Sequence, residues 1–437
     1  MNRRTFVSSA YTLALPLGLA GQVSSGTQGG QSAPNEVIER ARQAALDVLK
    51  PTQRQLEHGL RLHADSLVVE SYGFSPRMGM NGDALRQAIE SGASDAELED
   101  LREEMMMTRA VESTAEREEY FSAWRAAGVT AIVQNAGEEG QDPLRLMKRL
   151  ARFTYTTDLL KERVSKAVVA DEILQAHREK RHCLVFTGNG VPLAQTWKSV
   201  PEELGYVRLF YQLGIRMMHV TYNRRNALGD GCAEPSNAGL SDFGRAAIAE
   251  MNRLGIIVDV AHSGWQTSLE AAKASTKPMV ASHSGCVAVN NHIRCKPDEV
   301  IRAIVDTGGF IGICCIPSFL GRSHDINAML DHIDHAVKRF GADHVAIGTD
   351  VAYVSRANAT ESRKVPRLRP GRPRYESFWP PNALAVPHSE TMAWTNWPLF
   401  TVGMVQRGHS DSDIRKILGG NVMRVLRANA GDRPPIA

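Results

Sequence analysis

The strongest constraint on this chain is an alternation. Short runs rich in β-branched and apolar residues recur from residue 67 onward, separated by stretches with helical spacing. βα units around a parallel sheet read this way, because their strands are covered on both faces while each helix hides one stripe. Eight runs stand out, at residues 67–70, 130–134, 183–187, 216–220, 256–260, 279–282, 310–315 and 344–348. The helices between them carry their own punctuation. In the stretch 241–255, Phe243, Ala247, Met251 and Leu254 share a helical face, Ser241 or Asp242 caps the start, and Gly255 stops the helix before the fifth run. The stretch 326–340, closed by Gly341, repeats the pattern before the eighth. Eight such strands predict an α/β fold, a (β/α)8 TIM barrel, with a doubly wound open sheet as the alternative that periodicity alone leaves open.

The 437 residues are 43% hydrophobic and 23% charged, ample for one large core. The 51 basic and 48 acidic residues leave a net charge of +3, which gives no general drive toward nucleic acid, so a small-molecule or peptide substrate is expected. Residues 1–34 read separately. Arg3-Arg4 precede a mildly apolar stretch at 11–20 and a Gly/Ser/Gln-rich run to Pro34, the order of a twin-arginine export signal and linker. Residues 35–437 would then be a single barrel domain, exported to the periplasm. The apolar stretch is shorter than the ~20 residues of a membrane span and no later segment qualifies, which predicts a soluble mature protein. Among six cysteines, Cys183, Cys314 and Cys315 sit inside apolar runs and are expected as buried free thiols.

Two long excursions, 78–127 after the first run and 351–398 after the eighth, leave the C-terminal ends of strands, where barrel active sites are built. They are candidate lids or substrate walls, with surface segments or a homodimer contact as the plainer readings. The basic run 363–374 reads as a solvated loop.

The same rule filters the polar residues. The fifth run ends in Asp259-Val260-Ala261-His262 and the sixth in Ser282-His283-Ser284, so adjacent strands deliver two histidines close enough to share a metal. Asp350 follows the eighth run and could ligate metal or shuttle a proton. Glu70, Tyr72, Gln134, Asn135, Asn189, Tyr222 and Asn223 also follow strand ends, with Asn189, Tyr222 and Asn223 as candidate substrate contacts and Glu70 as a further metal ligand. Arg294, in the loop after the sixth run, could hold a substrate carboxylate or form a salt bridge within its loop. His63 precedes the first run and belongs to the opposite face, while His332 and His335, three apart on the helix before the eighth run, read as a solvated helix face. No Gly-x-Ser-x-Gly elbow surrounds Ser282 or Ser284, which argues against serine hydrolase chemistry.

Several motifs together resemble the membrane (renal) dipeptidase family, zinc enzymes of the amidohydrolase superfamily built on a (β/α)8 barrel. They are Leu240-Ser241-Asp242-Phe243-Gly244, Glu250-Met251-Asn252-Arg253-Leu254-Gly255, Asp259-Val260-Ala261-His262, Ser282-His283-Ser284, His332-Ile333-Asp334-His335, Asp343 through Asp350, and Ile417-Leu418-Gly419-Gly420-Asn421. The likeness runs from residue 67 to the C-terminus and is strongest after Gly205. It implies that His262 and His283 are zinc ligands, Asp350 the catalytic aspartate and Arg294 the holder of the substrate carboxylate. The chain also departs from the family. Tyr72-Gly73-Phe74 stands where members place His-x-Asp, and Thr187-Gly188-Asn189-Gly190-Val191 where they place a metal-bridging Glu followed by a His. The expectation is therefore one zinc ion rather than two, held by His262 and His283 with Asp350 and Glu70 or Asn189, in a hydrolase of dipeptides or small amides. The alternative is a metal-poor, non-catalytic or repurposed barrel that binds a small ligand.

Overall fold

In the computed structural model, eight parallel strands hydrogen-bond in chain order: β1 (Val69–Gly73), β2 (Ala131–Asn135), β3 (His182–Gly188), β4 (Ile215–His219), β5 (Ile257–Asp259), β6 (Val280–Cys286), β7 (Phe310–Ile313) and β8 (Val345–Ile347). Just past β8, Asp350 N meets Tyr72 O of β1 at 3.4 Å, so the two ends of the sheet come together. The ring is nearly closed, and the architecture is the TIM barrel rather than the open sheet. The structure describes residues 35–137, 142–366 and 389–430. The segment read as an export signal and most of the basic run 363–374 lie outside the described residues. The described residues from Glu36 onward form one compact unit. Among the described residues no helix is long and apolar enough to cross a membrane.

Every predicted run overlaps a barrel strand. Two short strands, Val164–Lys166 beside β3 and Cys295–Lys296 beside β6, are additional. Val-Ser-Lys and Cys-Lys carry no apolar run, so periodicity had nothing to report there.

Side chains alternate along the strands between two apolar layers. Val69, Val133, Cys183, Val185, Met217, Ile257, Val280 and Phe310 fill the barrel interior. Ile132, Leu184, Phe186, Met218, Val258, Ala281 and Ile311 face the surrounding helices. In β6 the register shifts between Ala281 and Ser284, and this irregularity re-aims the side chains that follow. Room for it comes from Gly312 and Gly348, where an added Cβ would overlap the Ser282 carbonyl oxygen.

The helix Asp242–Leu254 begins at Ser241, whose side chain accepts from Gly244 N, and ends at Gly255 with φ 87°. The helix Ile326–Phe340 likewise ends at Gly341 with φ 88°. All six cysteines are free, and Cys183, Cys314 and Cys315 are buried. The excursion after β1 folds into three helices, Gly82–Glu90, Asp95–Glu112 and Thr114–Ala127. The described part of the excursion after β8 packs against it: Glu361 accepts from Gly82 N at 2.7 Å, Lys364 pairs with Asp83 at 2.9 Å, and Tyr353 Oη donates to Glu119 at 2.5 Å. The two excursions therefore form one wall.

Candidate metal centre and substrate cavity

His219, His262 and His283 converge at the C-terminal ends of β4 to β6, with one nitrogen from each within 4.8 Å of the others. All three are buried. His262 and His283 approach to 3.0 Å between their Nε2 atoms. The environment keeps both neutral. Burial pushes both imidazoles well below their usual range, and the neighbouring Arg294 guanidinium pushes the same way. Neutral imidazole is the form that binds metal.

The tautomers are set from behind. Asn223 Oδ1 lies 2.7 Å from His262 Nδ1, which puts the proton on Nδ1 and leaves Nε2 as an acceptor. Gly188 O lies 2.9 Å from His219 Nδ1, which puts a proton on that nitrogen and turns Nε2 toward the other two rings. His219 Nε2 is then a buried nitrogen with no hydrogen-bond partner. It sits 2.9 Å from Asp259 Oδ2, off the line of a hydrogen bond. Three imidazole nitrogens around one point, one of them without a hydrogen-bond partner, fit a single metal ion.

Asp259 braces the site. Its carboxylate accepts from Ala261 N and Ser282 N at 2.9 and 3.0 Å, and from Ser282 Oγ, tying β5 to β6. These donors and the His219 imidazole outweigh burial and hold its carboxyl below the usual range. Tyr72, at the place of the family's His-x-Asp, fills the space beside the histidines with an aromatic ring. It stacks on His283 at 3.8 Å between centroids and donates from Oη to Asn189 Oδ1 at 2.7 Å. Tyr222 stacks on His262 at 4.1 Å.

Beside the histidines opens a cavity of about 440 Å³, lined among others by His262, Asp350, Tyr222, Asn189 and Tyr72. Asp350 adopts φ 59°, uncommon for a non-glycine residue and a form of backbone strain that clusters at functional sites. Burial raises its carboxyl to about 6 against the opposing pull of Arg294, His219 and Arg77.

Several expected residues are placed differently. Asp350 lines the cavity with His262 but is outside the cluster of metal-facing atoms, which leaves the proton role. Glu70 is not brought to the histidines. It follows inward-facing Val69 and so points outward, where Thr349 N, Thr349 Oγ1 and Trp394 Nε1 occupy its oxygens. Asn223 orients His262 and is not among the residues lining the cavity. Arg294 is also absent from the lining. It is fully buried and donates to Ala261 O and His283 O. His332 is not solvated. It is fully buried, accepts from Cys286 N at 2.8 Å and bonds Leu320 O, anchoring the end of β6. His335, half-buried, pairs with Asp298 at 2.8 Å. His63 is buried against Thr401 and Ala127 O, away from the site.

His219 is the residue that the sequence reading missed. Its signal was parity: Met217 faces the barrel interior and Met218 the helices, so His219 at the strand end faces inward again.

The chain is 28% identical over 275 residues to a protein of Claviceps purpurea named dipeptidase tcpJ, a stretch covering 62% of this chain and 56% of that protein. It thus spans little more than half the length of that relative. Among solved structures it resembles an amidohydrolase from Pseudomonas aeruginosa at 23% identity and a TM-score of 0.64, covering 86% of this chain and 99% of that one. The probable dipeptidase PvdM from the same organism matches with the same coverage at 17% identity and a TM-score of 0.62. Both likenesses establish the barrel fold. The family model for membrane dipeptidase, peptidase family M19, matches residues 84–368, well over half of the chain and the span that carries all three histidines, and the chain belongs to that family.

Proposed function

We propose that this protein is a zinc-dependent hydrolase of dipeptides or similar small amides, with a single metal ion held by His219, His262 and His283. The carrying observation is the buried cluster of three imidazoles, one with a nitrogen that has no hydrogen-bond partner, at the edge of a cavity of dipeptide size. When bound, zinc would supply Lewis acidity at the scissile carbonyl and acidify water. The chain does the rest. Asp350, held at the cavity wall, takes the proton from attacking water and returns it to the leaving amine. Its carboxyl, raised to about 6, is ionised at neutral pH yet basic enough for that exchange. Asn223 and Gly188 fix the ring orientations of His262 and His219, while Tyr222 and Asn189 face the substrate. Tyr72 occupies the volume next to His283 with carbon, which supports one ion rather than two.

Metal analysis of the purified protein together with chelator-sensitive cleavage of dipeptides tests this reading. Absence of both overturns it. A ligand-binding barrel would then be favoured, since Asn135 Oδ1 lines the cavity wall without a hydrogen-bond partner. That alternative predicts ligand-induced thermal stabilisation that survives chelation and His262→Ala.

Residues 1–34, with Arg3-Arg4 ahead of an apolar stretch, are proposed to direct export to the periplasm. Replacing both arginines with lysine should hold the precursor in the cytoplasm on fractionation.

A further inference from the structure

The family resemblance gives the substrate's terminal carboxylate to Arg294, and the structure keeps that cation at the metal end. Arg294 Nη2 lies 3.4 Å from His262 Nε2. A dipeptide held there by its carboxylate, with its amide at the histidines, directs its N-terminal residue into the cavity that His262 and Asp350 border. What that residue meets is set by the far wall.

That wall is the helix Asp95–Glu112 of the excursion after β1, packed on the helix Pro143–Leu159. Across their contact the charges are matched: Arg145, Lys148, Arg149 and Arg152 each lie within 3.1 Å of at least one of Glu99, Asp100, Glu103 and Glu104. Glu99 and Glu103 also line the cavity, and Arg145 holds them at 3.0 and 2.8 Å. Arg102 is the cation left over. It stands on the same helix, half-buried, and lines the cavity. Among the described residues it makes no hydrogen bond and no ion pair, and its Nε is closed off from solvent. A guanidinium that has lost part of its hydration and gained no partner is unfavourable in the free protein. A carboxylate entering from the cavity removes that cost by a charge-assisted pair. Met106, Met107 and Phe153 line the cavity from the same two helices, and apolar neighbours strengthen a charge pair by lowering the local polarity.

We propose that Arg102 selects dipeptides with an acidic N-terminal residue by binding its side-chain carboxylate, so that two arginines anchor the substrate, one on each wall. The inference rests on the hydrolase reading for the placement of the peptide and leaves the terminal carboxylate with Arg294. Arg102 is a binding residue; the reacting atoms belong to the histidine end of the cavity.

The test compares L-glutamyl-L-alanine with its neutral isostere L-glutaminyl-L-alanine on the metal-loaded protein, in the wild type, Arg102→Met and Arg102→Lys. The wild type should prefer the glutamyl peptide. Arg102→Met should raise KM for that peptide by about tenfold with kcat changed far less, leave the glutaminyl peptide little affected, and so erase the preference, the pattern of lost uniform binding. Arg102→Lys should keep part of it, with melting temperature and metal content as folding controls. Calorimetric binding of the same two peptides reads the preference even where neither is cleaved, which separates failure of the proposal from failure of the hydrolase reading. Equal handling of the two peptides by the wild type, a wild-type preference for L-alanyl-L-glutamate over L-glutamyl-L-alanine, or an Arg102→Met protein that keeps the wild-type preference, overturns the proposal.

Discussion

The cavity has two walls built on different physics. The barrel wall, at the ends of β4 to β6, is fully buried and holds its groups by short hydrogen bonds from strands and adjoining turns, as Asn223 does for His262 and Asp259 for Ser282. The excursion wall is half-exposed and held by a lattice of ion pairs between two helices, centred on Glu103. Precise geometry is better kept on strands, where packing and hydrogen bonds leave no alternative rotamer. Recognition of variable substrates suits an inserted segment, which can change without disturbing the barrel.

That contrast breaks most sharply at the metal. His283→Ala should remove metal and lower kcat/KM by on the order of a thousandfold, while the excursion wall stays folded; elemental analysis and circular dichroism check the two halves of the statement. Metal retained at full stoichiometry would deny His283 its role. One step back, Asn223→Ala should weaken metal affinity by roughly 10- to 100-fold, since it frees the His262 ring and its tautomer; competition with a chromogenic chelator measures it.

On the other wall the response should be in stability. Glu103→Gln leaves Arg145, Arg149 and Arg152 short of a shared partner and should destabilise the protein by about 1–3 kcal/mol in denaturant titration, with metal content unchanged. A loss of metal in this variant would show that the two walls are not separable.

The most gradual effect, spread over several pH units, belongs to Glu70, which ties the barrel to Trp394. Burial outweighs its three hydrogen-bond donors and pushes its carboxyl from 4.5 up to about 8. The folded state therefore keeps a proton that the unfolded state releases, so wild-type stability should fall as pH rises from 5 to 8, by at most about 1.4 kcal/mol per pH unit. Glu70→Gln has no such proton, and its stability relative to wild type should rise over the same window. Parallel slopes for the two proteins would place the carboxylate ionised throughout.

Much of this was legible before any coordinates. Each of the eight strands was visible because strands buried on both faces have few ways to be written other than in apolar residues, and helix ends at Gly255 and Gly341 because positive φ favours glycine. His262, His283 and Asp350 followed from strand ends. Glu70 and His219 were misjudged for one shared reason: a strand end says which face of the barrel a residue is near, and only parity says whether it points in or out. Glu70 points outward beside inward-facing Val69, and His219 points inward two residues after Met217. His332 was misjudged because helical spacing shows which residues share a face without showing what covers that face.

By itself the sequence determined the barrel, its caps and the two histidines next to each other in strand order, all consequences of local periodicity and backbone chemistry. Only the tertiary structure decided that His219 joins them, that Arg294 is buried against them, and that Arg102 lines the cavity from an insertion far away in sequence. Those three outcomes depend on which charges meet partners once the chain is folded, and partnership across the barrel leaves no trace in local spacing.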